Sequence, residues 1–169
     1  MPTASQLPDA EALCAALADA MRGRIDPAAT ALVGIHTGGL WVAERLHAAL
    51  GLKTPLGSIN VSFYRDDYSR RGLHANAKAA RIPFTVEGAH IVIVDDVVHT
   101  GRTVRAAINE LFDYGRPAKI DLAVLVDRGG RELPIAPSFC PRSLSLPAAH
   151  KLALERAADG GLSFQVIEK

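Results

Sequence analysis

The chain has 169 residues, a length that predicts one domain with room to bury roughly 70% of the surface its unfolded form exposes. Apolar residues make up 49% and charged residues 22%, as in an ordinary globular protein, and no apolar run reaches the roughly 18 residues of a membrane-spanning helix. With 19 Lys and Arg against 18 Asp and Glu, the formal charge is +1, short of the basic excess of a dedicated nucleic-acid domain; two cysteines, Cys14 and Cys140, exclude a disulfide framework or a four-thiolate zinc site.

The opening MPTASQLPDAEALC lacks a basic segment followed by an apolar one, which predicts no Sec signal, and these traits together predict a cytoplasmic protein. Residues 9–22 carry Leu13, Ala16, Leu17, Ala20 and Met21 on one helical face. A short buried strand follows at 31–35, then a tight loop His36-Thr37-Gly38-Gly39, then a helix over 40–50 that stops at Gly51. Ile59, Val61 and Phe63 alternate with Asn60, Ser62 and Tyr64, the period of a strand. The polar stretch from Arg65 to about Ala80 is long for a plain connection, and such stretches often serve as lids.

Ala89 to Val94 is a nearly continuous apolar run, the pattern of a central strand covered on both faces, and it is expected to end at Asp95-Asp96. Val104, Ala107, Ile108, Leu111 and Phe112 then trace a helix closed by Gly115. Ile120–Val126 reads as another strand, and 163–167 as a last short one. Alternating strands and helices predict an α/β fold with a mainly parallel sheet, organised as a single domain. Ligands of such folds sit beyond the carboxyl ends of the strands, so the loops at 36–39, 95–103 and 127–131 are expected to converge.

The segment Val94-Asp95-Asp96-Val97-Val98-His99-Thr100-Gly101-Arg102-Thr103 carries the chemistry. Adjacent carboxylates at a strand end can hold hydroxyls or a hydrated cation. The turn Thr100–Thr103 opens a helix whose free N–H groups, with the threonine hydroxyls, make an anion cradle. A diol holder beside a phosphate holder suits a sugar phosphate. An acidic pair of this kind also ends a strand in receiver domains, but there it lies near the start of the domain. No G-x-x-x-x-G-K-[ST] occurs, which excludes a P-loop nucleotidase.

This segment resembles the phosphoribosyl-pyrophosphate (PRPP) motif of type I phosphoribosyltransferases. Over about residues 31–135 the chain is similar to the bifunctional pyrimidine-operon regulators with uracil phosphoribosyltransferase activity. The resemblance rests on Leu32–Gly39, Phe63-Tyr64-Arg65-Asp66-Asp67, Val92–Ala106, Tyr114-Gly115-Arg116-Pro117, and Leu122–Gly129 with Arg131-Glu132-Leu133-Pro134. It implies the type I fold, a mobile loop over about 65–80, and conversion of uracil and PRPP to UMP and pyrophosphate with Mg²⁺. It also implies a homodimer or higher homo-oligomer, and a UMP-sensing role at a pyrimidine mRNA leader.

By position, the resemblance assigns Asp95 and Asp96 to the ribose hydroxyls, and the loop Val97, Val98, His99, Thr100, Gly101, Arg102 and Thr103 to the 5′-phosphate. It assigns Thr37 and Gly38 to pyrophosphate and Arg65 to a closing loop. Asp127 falls near magnesium or the base, Arg128 beside it, and Arg131 near pyrophosphate. The pattern departs from the family at Gly38, where Arg is common, and at Gly130, where His is common. It also departs in the first helix, where Cys14–Met21 replaces a basic and polar stretch. A basic surface of Arg102, Arg105, Arg116, Arg128 and Arg142 remains open as an RNA contact. Two other readings stand beside this one: a regulator with little catalysis, and a transferase of the same fold for a purine base. Trp41 is expected in the core or at an oligomer contact, and Cys14 and Cys140 as inert thiols.

Overall fold

The computed structural model describes residues 7–61 and 80–169. In chain order these form α1 (Ala10–Met21), β1 (Thr30–Ile35), α2 (Gly38–Leu50), β2 (Gly57–Ile59), β3 (His90–Val98), α3 (Arg102–Phe112), β4 (Lys119–Asp127), β5 (Arg142–Ser143), β6 (His150–Arg156) and β7 (Leu162–Glu168). Strands β1 to β5 make one sheet in the order β2-β1-β3-β4-β5, every neighbouring pair parallel. Strands β6 and β7 form a separate antiparallel hairpin.

The central strands are apolar on both faces, and period two sorts their side chains into two cores. Leu32, Val92, Val94, Ala123 and Leu125 pack with α1, α2 and the hairpin. Ala31, Val33, Ile35, Ile91, Ile93, Leu122 and Val124 pack with α3. Helix α1 starts where the Asp9 side chain accepts the Ala12 amide at 3.1 Å, a usual N-cap. Glu11 then ties three elements together: it pairs with Arg45 of α2 at 3.0 Å and accepts the Leu162 amide of β7 at 2.9 Å. Trp41 packs against the first core, as expected. Cys14 is buried there, and burial pushes its thiol up to about 11, so it stays protonated at neutral pH.

Three expectations need correction. Helix α2 begins at Gly38, so the loop after β1 is shorter than its two glycines suggest. Strand β2 covers Gly57–Ile59; the alternation that placed a strand over 59–64 extends into residues 62–64, which lie outside the described residues, as does Arg65. Strand β3 does not end at the acidic pair. Its ladder with β4 runs on to Val98, opposite Asp127, carrying Asp95 and Asp96 inside the sheet.

At the opposite end of β3 and β4, Asp121 accepts from Ser138 at 2.8 Å and sits 2.7 Å from His90 Nε2 and 2.9 Å from Lys119. Burial raises the carboxyl pKa, but the hydrogen bonds from Lys119, Ser138 and His90 and the Lys119 charge outweigh it and hold the group at about 2. A carboxyl depressed on folding contributes stability above its unfolded pKa, near 3.9, which is lost as pH falls through the folded value. The native protein is therefore expected to lose about 2 kcal/mol from this group between about pH 4 and pH 2. Urea unfolding of wild type and Asp121→Asn across that range checks it: the gap between them should shrink on acidification.

Candidate active site

The chain leaves β1 for β2 on one side and leaves β3 for β4 on the other, so its order reverses between β1 and β3. Connections diverge at such a point and leave a crevice at the carboxyl ends of the strands. A cleft of about 700 Å³ lies there. It is lined by His36, Thr37, Gly38, Asn60, the unbroken run Asp95–Val104, Arg128 and Glu132, and by Lys151–Leu154 and Lys169 of the hairpin. The loops at 36–39 and 95–103 and part of the one at 127–131 thus converge as expected.

A buried carboxylate is costly unless it is hydrogen-bonded, which is why an acidic pair reads as a strand end. Here local amides meet the cost. Asp95, only 5% exposed, accepts the Asp96 amide at 2.9 Å, and Asp96 accepts the Val97 amide at 2.8 Å. The first turn of α2 abuts both acids. A Cβ on Gly39 would lie 2.5 Å from the Val94 carbonyl oxygen and 2.9 Å from Asp95 Cα, and a Cβ on Gly38 would lie 2.5 Å from Asp96 Oδ2. Two glycines therefore let the positive end of a helix dipole rest against two carboxylates. The absence of a side chain at 38 leaves Asp96 its present rotamer.

Beyond the acids, Gly101 takes φ +93° and α3 starts at Arg102. The Thr100 hydroxyl accepts the Arg102 amide at 3.2 Å. The following amides of a helix start have no partner within the helix, so they can serve an anion. The loop after β4 braces this turn from behind. Glu132 and Leu133 amides donate to the Thr100 carbonyl at 2.9 and 3.1 Å, and Arg131 donates to the His99 carbonyl at 2.7 Å. The Glu132 side chain holds Arg102 at 2.8 Å.

Asp127 and Arg131 do not line the cleft. They pair with each other at 2.6 Å, and Asp127 also accepts the Gly129 amide at 2.9 Å. Burial raises the Asp127 pKa, but Arg131 and the Gly129 amide more than offset it and hold the group below the usual carboxylate range. Arg128 lines the cleft but is only 8% exposed and donates to the His150 carbonyl at 3.0 Å. It is therefore not part of an open basic surface, contrary to the expectation. The His36–Thr37 peptide bond, at the mouth of the cleft, is cis.

Of the hairpin wall, the strand expected over 163–167 is β7, while β6 was missed; the alternation of Leu152 and Leu154, both buried, was its local signal. Among the described residues no cluster of three or more His, Cys, Asp or Glu side chains forms a metal cage. The cleft instead offers the carboxylates Asp95, Asp96 and Glu132. Such a sparse, oxygen-only set fits Mg²⁺, which keeps waters and substrate oxygens and takes few protein carboxylates.

The phosphoribosyl transferase domain family matches residues 3–151. The chain belongs to this family. Among relatives, it is 52% identical over 135 residues to the bifunctional protein PyrR of Pseudomonas paraeruginosa, covering 80% of this chain and 79% of that one. It is 51% identical over 159 residues to the bifunctional protein PyrR of Ralstonia nicotianae, covering 92% and 91%. Among solved structures, a hypoxanthine phosphoribosyltransferase from Staphylococcus aureus superposes with a TM-score of 0.61 at 16% identity, covering 81% of this chain and 73% of that one. A purine phosphoribosyltransferase from Pyrococcus horikoshii superposes with a TM-score of 0.60 at 28% identity, covering 80% and 82%. The type I phosphoribosyltransferase fold read from the sequence is the one observed. The domain match stops at the start of β6, so most of the hairpin wall of this phosphoribosyl transferase lies beyond it.

Proposed function

We propose that the chain, acting as a single domain, is a cytoplasmic uracil phosphoribosyltransferase that joins uracil to PRPP, giving UMP and pyrophosphate. The observation that carries this reading is the continuous cleft wall in which Asp95 and Asp96 stand next to the Thr100–Thr103 helix start. That wall suits a sugar with vicinal hydroxyls at one side and a phosphate at the other. The choice of base rests on the resemblance over residues 31–135 and on the bifunctional PyrR relatives.

In this reading Asp95 and Asp96 bind the ribose hydroxyls, and the Thr100–Thr103 amides and hydroxyls bind the 5′-phosphate. The Thr37–Gly38 turn takes the pyrophosphate on its backbone amides; Arg65, which lies outside the described residues, is assigned to the site by the resemblance alone. Asp127 and Arg131 act from behind, as the pair that positions the phosphate turn. Asp95 and Asp96 are the carboxylates that would share Mg²⁺ with the oxygens of the phosphosugar; when bound, the ion supplies positive charge to the departing pyrophosphate. The acids also favour the positive charge that develops on the sugar as the bond breaks.

The test is product formation from PRPP and Mg²⁺ with uracil, hypoxanthine or guanine supplied singly. UMP alone is expected. Purine nucleotides in its place would overturn the reading and favour the purine alternative.

The bifunctional relatives favour a second, regulatory role at a pyrimidine mRNA leader, responsive to UMP. The outer face of α1 presents Glu11, Ala12, Ala15, Ala16, Asp19 and Ala20, which offers phosphates no cation. With Arg128 buried and Arg102 held by Glu132, the exposed Arg105, Arg116 and Arg142 are the residues left for RNA from the basic surface read in the sequence. Filter binding of leader RNA with and without UMP measures this role, and sedimentation measures the homo-oligomer the resemblance implies.

A further inference from the structure

We propose that Glu132 is a positioning residue for PRPP, one that fixes the Thr100–Thr103 amides by holding the chain on both sides of Gly101; this rests on the phosphate half of the functional reading above, and not on the choice of base.

The turn needs a hold from outside. Gly101 is the N-cap of α3 at φ +93°, with no side-chain bond to the amides behind it. Glycine takes positive and negative φ about equally readily, so the turn is not confined to this shape by its own residues. The Thr100 hydroxyl reaches the Arg102 amide only at 3.2 Å, the long end of the range for such a bond.

Glu132 supplies the hold twice. Its N–H donates to the Thr100 carbonyl at 2.9 Å, and its carboxylate accepts from Arg102 Nε at 2.8 Å. Thr100 and Arg102 are the two neighbours of Gly101, so one residue grips the chain before and after the glycine. The Leu133 amide joins it on the Thr100 carbonyl at 3.1 Å. Below, a Cβ on Gly101 would lie 3.3 Å from Ile135 Cβ and 3.5 Å from Leu133 Cβ, so the same loop floors the turn. The bonds from Arg131, Glu132 and Leu133 also engage the His99 and Thr100 carbonyls, whose negative ends would otherwise repel an anion.

The charges separate positioning from simple electrostatics. Arg102 is the first residue of α3, where a cation opposes the helix dipole, and Glu132 offsets it. Both side chains are about half exposed, and both residues line the cleft. A carboxylate at the phosphate end of a cleft repels a phosphate. If Glu132 acted through its charge alone, removing it would tighten PRPP binding and release Arg102 toward the phosphate. A positioning residue gives the opposite sign: without it the ligand must order the glycine turn, and PRPP binds more weakly.

Glu132→Ala should raise KM for PRPP about 5-fold, the worth of an exposed ion pair at the top of its usual range, with kcat, KM for the base and the melting curve unchanged. Glu132→Gln, whose amide oxygen can still accept from Arg102, should recover most of the loss. In an Arg102→Ala background, Glu132→Ala should add little, because the side-chain grip is already gone. Calorimetric titration of each variant with PRPP and Mg²⁺ should give the same order without turnover. An unchanged or lowered KM for PRPP in Glu132→Ala would overturn the assignment, and so would fully additive effects of the two alanine changes. A loss spread over kcat, the base and the melting curve would overturn it too, leaving Glu132 a structural residue only. If the wild-type chain neither binds PRPP nor uses it with any base, the functional reading fails and the role of Glu132 falls with it. If it uses PRPP and Glu132→Ala matches it, only the role of Glu132 fails.

Discussion

Asp96→Asn is expected to lower kcat/KM for UMP formation by about two to three orders of magnitude, the usual cost of removing a preorganised electrostatic contact from an active site. The substitution is nearly isosteric, and the amide oxygen can still accept the Val97 amide that Asp96 holds at 2.8 Å. What disappears is the negative charge facing the sugar. Thermal unfolding should change little, because Asp96 is half-buried at the cleft rather than packed in a core. Steady-state kinetics with PRPP varied, beside a melting curve, separates the two effects. Full activity in Asp96→Asn would remove the acidic pair from the mechanism.

The second large effect concerns position 39, which carries no chemistry. Gly39→Ala is expected to cost about 1–3 kcal/mol or more of stability, the range for overpacking a close contact, and to abolish activity. Its Cβ would meet backbone, the Val94 carbonyl oxygen at 2.5 Å and Asp95 Cα at 2.9 Å, and backbone inside a parallel sheet cannot step aside. Helix α2 would have to lift from β3, opening the wall that holds both acids. Gly38→Ala is the informative contrast. Its Cβ would meet the Asp96 carboxylate at 2.5 Å, and a side chain can rotate away. That variant should keep most of its stability and lose activity through a displaced Asp96. Denaturant midpoints and turnover for the two variants test the distinction: equal stabilities would mean the α2–β3 approach is not as tight as it stands here.

Much of this site was legible in the chain because its parts are local. The run from Val94 to Thr103 contains strand, acids, turn and helix start within ten residues, so its chemistry follows from residue types in order. The two buried faces of β1, β3 and β4 could be read for the same reason, since apolar runs bounded by glycine and polar residues have few alternatives. Where reading stopped short, longer-range contacts decided. Asp95 and Asp96 look like a strand end, yet the β4 ladder continues past them, with Asp95 opposite Val124 and Val97 opposite Val126. Asp127 and Arg131 look like ligand contacts, yet they satisfy each other and brace the turn at His99. The His99 ring likewise takes its orientation from Gly129 and Gly130, thirty residues on.

The sequence alone thus determined the fold class, the place of the acid pair and phosphate turn, and the family, because short-range patterning and a compact motif encode all three. The tertiary structure decided which of the named residues face the cleft. It buried Arg128, turned Asp127 and Arg131 into a brace, and brought β6 and β7 across to form a wall. Those outcomes depend on packing and hydrogen bonds between segments tens of residues apart, and no window of sequence contains both halves of such a contact.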